Sequence, residues 1–186
     1  MMLDLDELRE RIVASLAATA GPVLRPLADQ SLYVVAVTTD SDCITLRLLA
    51  HTEEALEERT GGEDDPYVRW WPDEWEISDD DITPDDGVES TVKISRTLYG
   101  TLDDEEDPDW PDRARDLFDS ALGDPRVREA IARVNPSWRP VLFLTDTDGD
   151  LSRTVASLES LNRDHTDADL VAAAVAYFSG SPADGT

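Results

Sequence analysis

The chain has few of the residues that most enzyme chemistry requires. It contains one cysteine (Cys43), two histidines (His51 and His165) and one lysine (Lys93) among 186 residues. A single cysteine excludes an internal disulfide and any metal site built from several cysteines. A serine or cysteine nucleophile usually needs a histidine as its base, and only two histidines are present to serve as one. We therefore expect both histidines and Cys43 to have structural or incidental roles.

Several other functional signatures are missing. The sequence has no glycine-rich turn ending in lysine and no Gly-x-Gly-x-x-Gly pattern, so a phosphate-binding loop of either type is not expected. No apolar run approaches the ~20 residues that cross a bilayer. The first six residues are acidic where a signal peptide would be basic. These absences predict a cytoplasmic protein with no membrane association.

Basic residues are scarce beside acidic ones. The formal net charge is −26, from 42 acidic and 16 basic residues. Residues 52–112 hold 23 of the acidic residues and 4 of the basic ones. Such a field repels phosphates, which disfavours duplex nucleic acid as a partner. The charge instead favours either a basic protein partner or plain solvation as an adaptation to salt, and the composition alone leaves both open.

Hydrophobic patterning predicts a small sheet and several helices. Leu32 to Thr38 is an apolar, β-branched run typical of a buried strand, and Ile44, Leu46 and Leu48 alternate with polar residues as a partner strand, which together predict a β-hairpin. Helices dominate the rest of the chain. The sequence therefore predicts an α+β class, with a small antiparallel or mixed sheet packed against several helices. We expect one domain over residues 1–180 and a flexible tail over 181–186.

Helix-capping and helix-breaking residues predict where the helices begin and end. Gly21-Pro22 is expected to stop the first helix, and Thr52 to start a short helix that ends at Gly61. Thr83-Pro84 is typical of a helix start. Thr166 is expected to cap the last helix.

A tryptophan-rich segment is the most distinctive motif. Tyr67 to Ile77 is predicted to be a strand entering a proline-initiated turn, with Trp70 and Trp71 on opposite faces. All its tryptophans could pack in the core, with Glu74 bonded to an indole or backbone N–H. Alternatively, one could be an exposed binding anchor, since tryptophan is enriched in hot spots. On that second interpretation the candidate partner-binding residues are Trp71, Asp73, Glu74 and Glu76.

An aspartate-rich run is the best metal candidate. Asp146, Asp148 and Asp150 alternate after a predicted strand over residues 141–144, and such carboxylates can converge on Mg²⁺ or Ca²⁺. The EF-hand pattern fails, because Leu151 and Ser157 stand where glycine and glutamate are required. The structural alternative is a turn in which one aspartate caps the next helix. If a metal binds, the pattern favours Mg²⁺ held by Asp146 and Asp148; otherwise no cofactor is expected.

The tryptophan motif also carries a family resemblance. Residues 32–38, 51–56 and 69–75 resemble a bacterial family catalogued as domain of unknown function 4303, most specifically through Trp-x-Pro-x-Glu-Trp from Trp70 to Trp75. The family typically has Asn-Thr-Glu where this chain has His51-Thr52-Glu53. The resemblance implies a small cytoplasmic α+β protein with no assigned activity. Such families often look like immunity or accessory proteins of bacterial toxin systems.

Two functional hypotheses come from these observations. The first is a non-enzymatic, immunity-type binding protein that engages a basic protein, such as a toxin nuclease, through an acidic face over residues 52–112. The second is a metal-assisted hydrolase that uses Asp146 and Asp148, with Glu74 as a possible third carboxylate.

Overall fold

A mixed four-stranded sheet lies at the centre of the fold. The computed structural model describes residues 4–79, 88–102, 108–147 and 151–180. The strands are β1 (Leu32–Thr39), β2 (Arg47–Thr52), β3 (Ile77–Ser78) and β4 (Val141–Asp146). Their order is β3-β2-β1-β4. β1 pairs antiparallel with β2 and parallel with β4, and β3 pairs antiparallel with β2.

Helices cover both faces of this sheet. Those within the described residues are α1 (Leu5–Leu24), α2 (Glu53–Thr60), α3 (Pro66–Trp70), α4 (Thr91–Leu102), α5 (Trp110–Leu122), α6 (Pro125–Val134), α7 (Leu151–Leu161) and α8 (Ala168–Phe178). Short 3₁₀ turns follow α1 at Arg25–Leu27 and α3 at Pro72–Glu74.

The sheet separates two hydrophobic cores. Successive side chains of a strand point to opposite faces. Val35 and Val37 of β1 therefore pack with α1, α5 and α6 on one face, while Val34 and Ala36 pack with α8 and the tryptophan segment on the other. Every residue of β1 is buried, as expected for a strand covered on both sides. The predicted α+β class with a small mixed sheet is confirmed.

The predicted β-hairpin is present, but its second strand begins later than predicted. The Asp40 carboxylate accepts a hydrogen bond from the Ile44 N–H at 2.9 Å, and the Thr45 side chain accepts one from the Asp40 N–H at 2.9 Å. Cys43 has a positive φ of 54°. These local bonds hold residues 40–46 in a broad turn, so β2 runs from Arg47 to Thr52.

Two helix boundaries also differ from the prediction. α1 continues through Gly21-Pro22 and ends at Leu24, because this last turn packs its buried Val23 and Leu24 into the core. The last helix is capped by the Asp167 carboxylate, which accepts from the Leu170 N–H, and not by Thr166. The short helix from Thr52 to Gly61 is confirmed.

The segment over residues 67–77 was predicted as a strand that enters a proline-initiated turn; it begins instead as the helix α3, and the 3₁₀ turn at Pro72–Glu74 follows it. The Asp65 carboxylate accepts hydrogen bonds from the N–H groups of Tyr67 and Val68, at 3.0 and 3.3 Å, and Pro66 occupies the first turn of α3. A capping residue followed by proline is a standard helix start. The strand prediction was wrong because it gave more weight to the β-forming aromatic residues than to the start signal before them.

Some predictions lie outside the described residues. The helix start predicted at Thr83-Pro84 is one, and the tail over 181–186 is another. The domain limits of 1–180 stay a prediction. None of the helices within the described ranges has the length and apolarity needed to cross a membrane.

Candidate partner-binding groove

A surface groove lies between α2, α3 and α8. Its volume is about 910 Å³. Thr52 caps α2 by accepting from the Ala55 N–H at 3.2 Å, and this cap sets the direction in which α2 leaves β2. Gly61, in the left-handed conformation with a φ of 67°, ends α2 and turns the chain toward α3. α8 supplies the opposite wall with Leu170, Ala173 and Tyr177.

The groove is acidic. Among the described residues, four carboxylates line it and a single guanidinium, that of Arg69, opposes them; the carboxylates are those of Glu53, Glu57, Glu63 and Asp64. Glu57, Glu63 and Asp64 are exposed. This short stretch therefore concentrates part of the charge that the sequence assigns to residues 52–112.

Arg69 is already engaged by Glu53. Its guanidinium donates to both carboxylate oxygens of Glu53, at 2.8 and 3.1 Å, in a bidentate pair. It also lies 5.0 Å from the centre of the Tyr33 ring. Burial disfavours its charge, but the hydrogen bond and the charge of Glu53 outweigh that effect and raise the pKa of Arg69. Nε of Arg69 also lies 3.5 Å from the carboxylate of the exposed Asp64. Because this one guanidinium stands against four carboxylates, the groove keeps a net negative charge.

Aromatic side chains lie in and near the groove. Tyr67 is 50% exposed and stacks on the half-buried Trp71, with ring centres 6.3 Å apart. Tyr177 lines the groove. Burial raises the pKa of Tyr177, and the nearby Tyr67 and Asp65 raise it further. Acidic groups beside aromatic faces form an environment suited to lysine or arginine side chains.

A buried aromatic cluster supports the groove from below. His51 is 2% exposed and stacks on Trp75 with ring centres 5.5 Å apart and an angle of 7° between the planes. The Tyr33 hydroxyl donates to the Arg69 carbonyl at 2.8 Å and lies 2.7 Å from Nδ1 of His51. His51 therefore donates from Nδ1, a tautomer assigned from this network. The cluster fixes the backbone from which Arg69 reaches Glu53.

The environment of His51 keeps the ring neutral. Burial lowers its pKa to about 4, and the positive charges of Arg59 and Arg69 contribute further. A buried neutral imidazole between a tyrosine and an indole fits the structural role expected for His51.

His165 lies far along the chain, between α7 and α8. Its Nε2 donates to the Arg139 carbonyl at 2.7 Å, and its Nδ1 accepts from the Asp167 N–H at 3.0 Å.

The tryptophans of the motif differ in their burial. Trp70 is 2% exposed and Trp75 is 5% exposed, and the Trp75 indole donates to the Val68 carbonyl at 3.1 Å. Trp71 is half-buried, with its ring centre 6.5 Å from that of Phe178. Two of the three therefore pack in the core, while Trp71 keeps part of its surface accessible.

The four candidate partner-binding residues lie beside the groove and do not line it. Glu74 forms an ion pair with Arg59 of α2, and the exposed Glu76 lies 3.8 Å from the same guanidinium. Asp73 is exposed and Trp71 half-buried. The bond predicted from Glu74 to an indole or backbone N–H is replaced by this pair with Arg59. Their role in binding stays a prediction.

The lining residues of the groove were not singled out from the sequence. The acidic residues of α2 and of the α2–α3 loop were visible only as part of a long acidic region. Tyr177 of α8 is more than a hundred positions away from α2 and α3, and no local pattern links them. The run of aspartate and glutamate after Thr52 was the one signal that could have found part of the site.

The aspartate-rich run is only partly described. Asp146 is 2% exposed at the end of β4 and forms an ion pair with Arg115 of α5. Asp148 and Asp150 lie outside the described residues. Among the residues with described positions, no group of three or more His, Cys, Asp or Glu side chains is arranged to hold a metal ion. The metal site stays a prediction, and Asp146 could join it only in competition with Arg115.

Cys43 is not placed for nucleophilic chemistry. It is fully buried in the turn before β2, and burial raises the pKa of its thiol. A buried cysteine with a raised pKa holds little thiolate, which is the reactive form.

Comparison with known families gives one match. The family model described as "Domain of unknown function (DUF4303)" matches residues 12–123. The chain belongs to this family. No significant match was found among curated proteins or among solved structures.

The matched region of the DUF4303 family covers one wall of the groove. It includes α2, α3, the tryptophan motif and His51. It ends before β4, α7 and α8. The acidic wall is therefore part of the family region, and Tyr177 and Leu170 come from the sequence after it.

Proposed function

We propose that this protein is a non-enzymatic binding protein whose groove between α2, α3 and α8 engages a basic protein partner. The observation that carries the proposal is the groove itself, in which Glu57, Glu63 and Asp64 remain exposed beside Tyr177, with the half-exposed Tyr67 near Tyr177. A lysine or arginine of the partner would place its charge against the carboxylates and its aliphatic stem against the aromatic rings.

The charge of the whole chain suits fast association with such a partner. A net charge of −26 attracts a basic protein over long range and raises the rate of encounter. An immunity-type protein that must find a basic toxin, such as a nuclease, would benefit from this rate. The groove would then provide the contacts that hold the complex.

The groove is tested by comparing two variants with equal charge. The groove variant is Glu57→Gln/Glu63→Gln/Asp64→Asn, which leaves the Glu53–Arg69 pair intact and removes the exposed Asp64 carboxylate that lies 3.5 Å from Arg69. The control variant is Asp42→Asn/Glu129→Gln/Glu159→Gln, which removes three exposed acidic groups elsewhere. Partners are first captured by native purification at low ionic strength, identified, purified and titrated calorimetrically against each variant.

We expect a basic protein that binds the wild type and the control variant with similar affinity. Three exposed charge contacts of about 0.5 kcal/mol each correspond to about a tenfold loss of affinity for the groove variant. Affinity should fall as salt rises. An equal loss in both variants would show that only bulk charge matters, and the absence of any basic partner at low ionic strength would favour solvation as the role of the charge.

The tryptophan motif is tested in the same titration. Trp71→Ala combined with Asp73→Asn and Glu76→Gln removes the exposed part of the motif and leaves the Glu74–Arg59 pair. A further loss of affinity would extend the interface to the motif. An unchanged affinity would confine binding to the groove and contradict the prediction for these residues.

A further inference from the structure

A second surface pocket, of about 770 Å³, has the opposite charge. It lies between α6, the segment that leads into β4, and the α7–α8 connection. Arg128, Arg139 and Arg163 line it together with His165, and within the described part of the chain Asp164 is the only carboxylate that lines it. In a chain with a net charge of −26, a wall with three guanidiniums and one carboxylate is unexpected.

These three arginines are not neutralised by carboxylates. Elsewhere ion pairs are common: Arg9, Arg11, Arg59, Arg69, Arg115, Arg126, Arg133 and Arg153 each lie within 4.0 Å of an aspartate or glutamate oxygen. Within the described ranges, no carboxylate comes that close to Arg128, Arg139 or Arg163. Partial burial lowers the pKa of Arg128, with no acidic group to offset it.

Hydrogen bonds to backbone carbonyls use only some of the N–H donors of these arginines. Arg128 donates one N–H to the Leu161 carbonyl at 2.5 Å, and Nη1 of Arg139 donates to the carbonyls of Pro136 and Trp138. A guanidinium has five N–H groups, so both retain donors. Arg163 is exposed and forms no hydrogen bond or ion pair with the described residues. The pocket therefore has donors to spare for an anion.

The walls of the pocket are held rigidly by buried hydrogen bonds. Asn162, 7% exposed, accepts from the Leu142 N–H at 2.9 Å and donates to the Leu142 carbonyl at 2.7 Å, which ties the end of α7 to β4. His165 bonds to the Arg139 carbonyl and joins the α7–α8 connection to the opposite wall. The Trp138 indole donates to the Gln30 carbonyl at 3.0 Å. Fixed walls reduce the entropy lost when a ligand binds.

The pocket also has an apolar part. Ile131, Pro136, Trp138 and Pro140 line it beside the arginines. A pocket of this volume, with apolar walls and a few charged groups, matches the usual site for a small organic molecule. Guanidinium groups bind phosphate oxygens in bidentate fashion, and a phosphate monoester carries a charge of about −1.5 to −2.

We propose that this pocket binds a small organic phosphate, with the phosphate group held by Arg128, Arg139 and Arg163 and the organic group against Ile131 and Trp138. The site is separate from the acidic groove, and neither proposal depends on the other. It lies after the region matched by the family model, which ends at residue 123.

The test uses phenyl phosphate as the probe, with inorganic phosphate and benzoate for comparison. Each is titrated into the whole chain at millimolar concentrations, and binding is followed by calorimetry and by amide NMR shifts. We expect saturable binding of phenyl phosphate, with shifts concentrated at residues 160–166. Inorganic phosphate should bind more weakly because it lacks the apolar group, and benzoate more weakly because it has a single charge.

Arg163→Gln is the most informative variant, because the Arg163 side chain forms no hydrogen bond or ion pair with the described residues that the substitution would break. We expect it to weaken phenyl phosphate binding about tenfold, the value of one charge-assisted contact, while leaving the thermal midpoint unchanged. Arg96→Gln is the matched control: Arg96 is exposed, does not line the pocket and has no ion pair within the described ranges. It should bind phenyl phosphate as the wild type does.

Four results would overturn the proposal. The first is no saturable binding of either phosphate compound to the wild type, and the second is an equal loss of affinity in Arg163→Gln and Arg96→Gln. The third is binding of benzoate as tight as that of phenyl phosphate, which would reject a phosphate ligand. NMR shifts confined to other parts of the surface would also reject this pocket, whether or not any variant folds.

Discussion

Acidification should destabilise this protein through a single buried histidine. The pKa of His51 is lowered from an ordinary value of 6.5 to about 4, so between these two pH values the unfolded chain takes up a proton that the folded chain does not. The free energy of unfolding therefore falls as the pH decreases through this range. A difference of 2.5 pKa units corresponds to about 3 kcal/mol, all of it present above pH 6.5.

The variant His51→Asn isolates this contribution. An asparagine amide can still donate to Tyr33, and it does not titrate. We expect the stability of the wild type relative to His51→Asn to be constant above pH 7 and to fall by about 3 kcal/mol by pH 4. Urea unfolding followed by tryptophan fluorescence measures both proteins at each pH. The many carboxylates titrate in both proteins, so their contribution cancels in the difference.

A second variant, His51→Gln, provides the control. The difference between His51→Asn and His51→Gln should not depend on pH, because neither residue titrates. A wild-type stability that follows the pH dependence of the two variants would refute the reasoning. It would mean that His51 is protonated in the folded protein as readily as in the unfolded chain, and that its burial against Trp75 does not keep it neutral.

Two further predictions concern the elements that support the groove. Phe143 of β4 is fully buried, with ring centres 5.2 Å from Phe178 and 6.2 Å from Trp75, so Phe143→Ala should reduce the free energy of unfolding by about 3–5 kcal/mol in urea titrations. A loss below about 1 kcal/mol would contradict the packing described. Asp65→Ala removes the cap of α3 and should cost about 1 kcal/mol, whereas Asp73→Ala, which has no capping role in the 3₁₀ turn, should cost little. Equal losses would indicate that residues 66–70 are not held as a capped helix.

Local sequence patterns predicted many of the elements, because their signals depend on neighbouring residues. Thr52 marks the start of α2, and the apolar run of β1 marks a buried strand. At Asp65-Pro66 a start signal was present too, but the prediction gave more weight to the aromatic residues after it. Trp70 is buried in the core formed by the sheet and α8, and its place in that core depends on elements far away in the sequence.

Charge could be located along the chain but not in space. The sequence shows that residues 52–112 are strongly acidic. It does not show that Glu53 neutralises Arg69, that Glu74 pairs with Arg59, or that Glu57, Glu63 and Asp64 remain exposed in a groove. Whether a carboxylate is paired or is available to a partner depends on which arginine side chains of other helices and strands lie close to it.

By itself, the sequence determined the fold class, the acidic character and the family of this protein, because composition, hydrophobic period and motif are properties of the linear chain. Only the tertiary structure decided which tryptophans are buried and which acidic residues face Tyr177. It also brought Arg128, Arg139 and Arg163 into one pocket from α6, the segment before β4 and the α7–α8 connection. Those placements depend on packing between elements far apart in sequence, which no local pattern records.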